Sequence, residues 1–82
     1  MEGGPAPRQQ MAITLYSLEK CPFSRALRER LRQRGCSFTE IDVGQRPECV
    51  PELVKLTRRR RIVPVLVDGT RIEVAPEGGT EF

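Results

Sequence analysis

The sequence predicts a small α/β domain, a four-stranded mixed sheet carrying two helices in the order strand, helix, strand, helix, hairpin. Three observations predict it. The apolar stretch Ile13-Thr14-Leu15-Tyr16 leads into a segment of helical period, and an alternating segment follows that helix. A second helix-period segment comes next, and two apolar runs then flank Asp68-Gly69. A helix between two strands makes a right-handed crossover and a parallel pair, whereas a two-residue Asp-Gly turn makes an antiparallel hairpin. At 82 residues there is room for one such domain with one modest core.

In residues 1–10, Gly3, Gly4, Pro5, Pro7 and two glutamines leave almost nothing apolar to offset the entropy of ordering. They are expected to form a disordered tail before a domain of residues 11–82. Ala12 to Tyr16 has β-forming residues and a strand's length, and Ser17 to Lys20 turns the chain. From Pro22 to Arg34, Phe23, Ala26, Leu27 and Leu31 fall on one helical face, with Arg25, Arg28, Glu29, Arg30, Arg32 and Arg34 on the other. Pro22 suits the first helical position, where the N–H it lacks would be unpaired anyway, and Gly35 suits the stop.

Ser37 to Val43 alternates apolar and polar residues and is predicted as the second strand; Gly44 to Pro47 turns. The second helix, Pro47 to Arg58, places Val50, Leu53, Val54 and Leu56 inward, with Pro51 tolerated in the first turn. Ile62 to Val67 and Thr70 to Val74 form the hairpin. Ala75 to Phe82, with Pro76, Gly78 and Gly79, is expected to be a loop or a frayed end.

Composition narrows the function. Apolar content of 38% with 30% charge is that of an ordinary soluble globular chain. The longest apolar run, Ile62 to Val67, is interrupted by Pro64 and too short for a bilayer, so no membrane partner is expected. There is no histidine, and Cys21, Cys36 and Cys49 fall in three different elements with no close-spaced pair. That pattern speaks against a zinc site and against a disulfide-stapled secreted framework, and with no apolar leader it points to the cytoplasm. A net charge of +3 with no readout motif beside the arginines implies no specific nucleic-acid partner.

The chemistry centres on Cys21. A cysteine at a helix start faces unpaired peptide N–H groups and the positive end of the helix dipole, which favour thiolate over thiol. Lys20 and Arg25 add cations. Ser24, one turn on, either faces solvent or donates a hydrogen bond to the thiolate. Phe23 falls on the core side of the helix, with substrate contact as the alternative, and Tyr16 at the strand end can line the site. Cys36 should lie far from Cys21 as a small buried filler. Cys49 is read as structural or surface, with a resolving thiol as the alternative. The run Arg58-Arg59-Arg60-Arg61 is either a solvated helix end or a carboxylate-binding group whose last member, Arg61, approaches Pro64.

Taken together and in order, several features resemble the glutaredoxin family of thioredoxin-fold proteins over Ala12 to Val74. They are Leu15-Tyr16 followed by Cys21-Pro22-Phe23-Ser24, then Glu40-Ile41-Asp42-Val43, Val63-Pro64-Val65 and Asp68-Gly69. The resemblance implies a thioredoxin-like β-α-β-α-β-β fold, with the family's final helix missing or vestigial. It implies a cis Pro64 facing Cys21, where the residues alone also allow the start of an edge strand. Substrate would then lie along the Val63 backbone, near Pro22 and Phe23. Because Ser24 stands where the family commonly has a second cysteine, the site is monothiol.

The implied activity is thiol–disulfide exchange. Cys21 attacks a disulfide or a glutathionylated protein, and an external thiol resolves the product. Partners would be glutathione, as a possible co-substrate, or a protein thiol or disulfide, with no obligatory cofactor and a monomeric chain. The alternative is an iron–sulfur module in which Cys21 and glutathione hold the cluster; no other metal is implied. The sequence departs from the family at Leu18, where a lysine is usual, and at Glu73-Val74, where a Gly-Gly and acidic pair would hold the glutathione carboxylate. Gly78-Gly79-Thr80-Glu81 is a displaced candidate for that motif. The compact ending is also similar to the UXX-star branch, in which selenocysteine often takes the nucleophile position.

Overall fold

A computed structural model describes residues 13–82; the tail expected over residues 1–10, and residues 11 and 12, lie outside the described residues. The elements are β1 (Ile13–Ser17), α1 (Pro22–Gln33), β2 (Thr39–Asp42), a 3-10 turn (Pro47–Cys49) running into α2 (Val50–Leu56), β3 (Ile62–Val63), β4 (Val65–Asp68), β5 (Arg71–Val74) and β6 (Thr80–Glu81). Four strands form one sheet in the order β2-β1-β4-β5. β1 runs parallel to β2 and antiparallel to β4, and β4 and β5 make the hairpin about Asp68-Gly69. This is the mixed sheet that the sequence predicts.

Strand alternation divides the core between the two helices. Successive side chains of β1 point to opposite faces. Leu15 accordingly packs with Leu27 and Leu31 of α1, while Tyr16 packs with Leu53 of α2, Val43, Val63 and Val65. The neighbouring strand repeats the division, Leu66 standing opposite Leu15 and Val65 opposite Tyr16. Each fully buried leucine contributes about 1.5–3 kcal/mol. The buried stripe of α1 is Ser24, Leu27 and Leu31, so Ala26 and Phe23, expected inward, are exposed. Phe23 turns instead toward Gly78.

An ion pair fastens α1 to the sheet. The Arg28 guanidinium grips Glu40 of β2 through Nε at 2.8 and 2.9 Å and Nη2 at 2.6 Å, and the Ser17 hydroxyl donates to the same carboxylate at 2.7 Å. Ser17, expected in the turn, is thus the buried last residue of β1.

Three further expectations are corrected. The predicted strand Ile62 to Val67 divides at Pro64, since proline has no N–H to continue a ladder; β4 pairs with β1, whereas β3 pairs with β6. Ala75 to Phe82 is therefore not a frayed end, because Thr80–Glu81 is a strand. Nor does the second helix reach Arg58. The Thr57 hydroxyl bonds to both the N–H and the carbonyl of Arg60, and Arg58 and Arg59 adopt φ of 59° and 73°, so the arginines form a connecting turn.

The Glu40 carboxyl lies below its usual range because Arg28 hydrogen-bonds its charged form, an effect that outweighs burial and is reinforced by Ser17. A depressed folded-state pKa adds stability that is complete above the unfolded value, about 4.3, and is lost as pH falls through the folded value. Glu40→Gln should therefore cost about 1–3 kcal/mol near pH 7. In denaturant titrations the deficit should shrink as the wild type is acidified; an undiminished deficit in acid would reject this assignment.

Candidate active site

Cys21 sits where strand gives way to helix. The residues Ser17 to Lys20 bring the chain out of β1, and the Cys21 N–H bonds back to the Leu18 carbonyl at 3.0 Å, closing the turn. Cys21 itself is the N-cap of α1, extended at φ −85° and ψ 115°, with Pro22 at the first helical position. An N-cap side chain accepts from the otherwise unpaired N–H groups of the first turn. Here the acceptor is the sulfur, which receives the Ser24 N–H at 3.3 Å.

The sulfur is enclosed. Cys21 has 0% exposure and belongs to the core cluster of Tyr16, Leu53, Val63 and Val65. Its Sγ lies 3.8 Å from the Val63 carbonyl, which the thiol form donates to. The Val63–Pro64 bond is cis, as the resemblance implies. Burial pushes the Cys21 thiol up, since a buried thiolate loses its hydration. The Ser24 and Thr80 hydroxyls and the backbone N–H groups of Ser24 and Phe23 act the other way and together prevail, so the thiol ionises below its ordinary value.

Hydrogen-bond donors, rather than the expected cations, thus supply the stabilisation. Lys20 is exposed and borders an open cleft of about 250 Å³ with Leu18, Glu19, Asp42, Gly44 and Gln45; Arg25 is exposed on α1. Ser24 is fully buried rather than solvent-facing. Its hydroxyl oxygen accepts the Leu18 N–H at 3.3 Å, which leaves the hydroxyl proton for the sulfur and ties the turn to the helix.

The remaining predicted residues divide into those near the sulfur and those apart from it. Val63 and Pro64 are buried beside it, and Pro22 adjoins it on the exposed side. Phe23, 40% exposed, flanks it on the surface rather than filling the core. Tyr16 shares the core cluster, and burial, with the charges of Glu52 and Cys49, pushes its pKa up. Arg61 stacks on the Phe82 ring, its guanidinium carbon 4.9 Å from the centroid. Cys36 packs against the other core layer, with Leu15, Leu27 and Leu31, and is half-buried rather than fully so. Cys49 is also half-buried.

Thr80 belongs to Gly78-Gly79-Thr80-Glu81, read from the sequence only as a displaced carboxylate-binding candidate within a loop or frayed end, and its strand pairing opposite Val63 was not expected. The signal was there in Gly78-Gly79. A Cβ on Gly79 would stand 2.5 Å from the Val63 carbonyl oxygen, and one on Gly78, which has φ +119°, would stand 2.7 Å from Phe23. Two residues without side chains are what let this segment press against the site.

No helix among the described residues is long and apolar enough to cross a membrane. No curated protein matches the chain. A solved structure described as the structural basis for the thioredoxin-like activity profile of the glutaredoxin-like protein NrdH-redoxin from Escherichia coli matches with a TM-score of 0.66 and 27% identity. The match covers 76% of this chain and 79% of that one, so the fold is thioredoxin-like. The model of the glutaredoxin family matches residues 13–72, which span β1, the Cys21 helix start, the cis Pro64 and the hairpin turn; with most of its length inside that match, the chain belongs to the glutaredoxin family.

Proposed function

We propose that this glutaredoxin-family chain is a monothiol thiol–disulfide oxidoreductase with Cys21 as its nucleophile. The observation that carries the reading is the sulfur's place as the N-cap of α1, where it accepts the Ser24 N–H at 3.3 Å, and hydrogen bonding there holds the thiol below its ordinary value despite burial. Such donors stabilise a thiolate both when it attacks and when it later leaves. The thiolate attacks one sulfur of a substrate disulfide R–S–S–R′, forming Cys21–S–S–R and expelling R′ as a thiolate that takes a proton from solvent. An external thiol then attacks the mixed disulfide, restores Cys21 and carries R away as a new disulfide. In sum, R′ leaves as a free thiol and the external thiol takes R as a new disulfide, so one disulfide is exchanged for another and Cys21 is regenerated.

The external thiol follows from Ser24, which stands where a second cysteine would resolve the intermediate internally. Cys36 lies in the other core layer. Glutathione and protein thiols are the two candidate reductants. The thioredoxin-like activity profile given for the E. coli relative favours protein thiols, and so does the absence of the Gly-Gly and acidic pair at Glu73-Val74. The iron–sulfur alternative, with Cys21 as ligand, draws on the same single thiolate, and no feature of the described residues favours it over disulfide exchange. Three free cysteines suit a reducing compartment such as the cytoplasm, and the chain is proposed to act there as a monomer.

Two measurements test this. Iodoacetamide labelling of Cys21 across pH should show a midpoint below that of a free cysteine, about 8.5, and Thr80→Val should raise that midpoint by removing a donor to the thiolate. An ordinary midpoint in the wild type would remove the activated nucleophile. Reduction of a small mixed disulfide by thiols should vanish in Cys21→Ser and persist in a Cys36→Ser, Cys49→Ser double variant. Loss in the double variant would make the site dithiol.

A further inference from the structure

The short strand β3 runs beside the Cys21 sulfur, and among the described residues its only strand partner is β6. Val63 stands opposite Thr80 and Ile62 opposite Glu81. Resting on the redox reading above, we infer that Gly78–Phe82 is a resident stand-in for substrate, and that the preferred substrate is an extended protein segment with a cysteine at the Thr80 position followed by an acidic and then an aromatic residue.

The argument starts from access. Cys21 is fully buried, so no disulfide reaches it while β6 is seated. Lifting β6 opens the backbone row of Ile62 and Val63, and an exposed row of N–H and carbonyl groups is filled by another strand. A substrate segment arriving there replaces one ladder with a similar one. The seat also reads side chains. Thr80 stands opposite Val63, whose carbonyl lies 3.8 Å from the Cys21 sulfur, so a cysteine in the same place brings its own sulfur to that side of the ladder. Arg60 faces Glu81 at 3.8 Å. The Phe82 ring lies under Arg61, and its N–H donates to the Arg61 carbonyl at 3.0 Å. Upstream, Gly79 lies so close to the Val63 carbonyl that only a residue without a side chain fits.

The resident strand is built to be displaced. It is two residues long, and its ion pair is between exposed side chains, which holds weakly and is screened by salt. This also gives a use to two of the four arginines: in the seated state their charges face Glu81 and Phe82, and after displacement they face the incoming segment.

The test uses the reduced full chain and two peptides, Gly-Gly-Cys-Glu-Phe and Gly-Gly-Cys-Lys-Phe, each with its cysteine disulfide-bonded to thionitrobenzoate. Attack by Cys21 on the peptide sulfur forms the Cys21–peptide disulfide and releases the coloured thionitrobenzoate anion with the electron pair of the broken bond. The glutamate peptide should react roughly fivefold faster than the lysine peptide at low salt, and Arg60→Glu should reverse the order. Equal rates for both peptides would overturn the inference while leaving the redox reading intact. If neither peptide and no small mixed disulfide reacts, the redox reading fails and the inference with it. A second measurement addresses the seat alone: Thr80→Cys should close an intrachain disulfide with Cys21 when oxidised glutathione is supplied and reduced to two thiols. A linked tryptic pair in the mass spectrum is the expected result; its absence would overturn the proposed register.

Discussion

At Pro64 the chain changes strand partner, and the site depends on that change. Before it, Ile62 and Val63 pair outward with β6; after it, Val65 to Asp68 pair inward with β1. A continuous strand would have left the Val63 backbone committed within the main sheet. Because the exchange happens one residue short of the sheet, the Val63 carbonyl comes to lie 3.8 Å from the Cys21 sulfur. The same exchange leaves a short edge beside the thiol, which this chain fills with its own residues.

The thiol at that edge is governed by two opposed effects. Desolvation favours the neutral form, and hydrogen-bond donors favour the thiolate. Ser24 serves both structure and chemistry: its oxygen accepts from the Leu18 N–H, its own N–H caps on the sulfur, and its hydroxyl proton is left for the thiolate. This explains how a serine retains a role at a position where the family commonly carries a cysteine. The donors hold their places because α1 is anchored at its middle by the Arg28–Glu40 pair and buried through Leu27 and Leu31. Site geometry and core packing therefore share one helix.

Much of the fold is legible in the sequence alone. Alternation in β1 and period in α1 told where apolar residues recur, and Asp68-Gly69 marked the hairpin, because these are local properties of a few neighbouring residues. The errors occur where a residue's state depends on something distant. Phe23 looked inward by period, yet Ser24 takes the buried place because its polar groups are satisfied by Leu18 and Cys21. Arg58 looked helical until Thr57 closed the turn on Arg60. Lys20 and Arg25 looked like the source of thiolate stabilisation by proximity in sequence, whereas Thr80, far along the chain, supplies part of it.

By itself the sequence determined the helix that begins after Cys21 and the tetrapeptide's content of one cysteine and one serine, while the resemblance placed Pro64 opposite it. The helix and the tetrapeptide follow from residue identity and short-range spacing, which no packing can alter. Only the tertiary structure decided what surrounds the sulfur. Gly78-Gly79-Thr80-Glu81 has the composition of a turn, and its apolar content is too low to announce a strand. It becomes one because β3 offers an unpaired backbone row, and because two glycines let that segment lie flat against Val63 and Phe23. Backbone pairing between segments so far apart in the chain leaves almost no trace in local pattern.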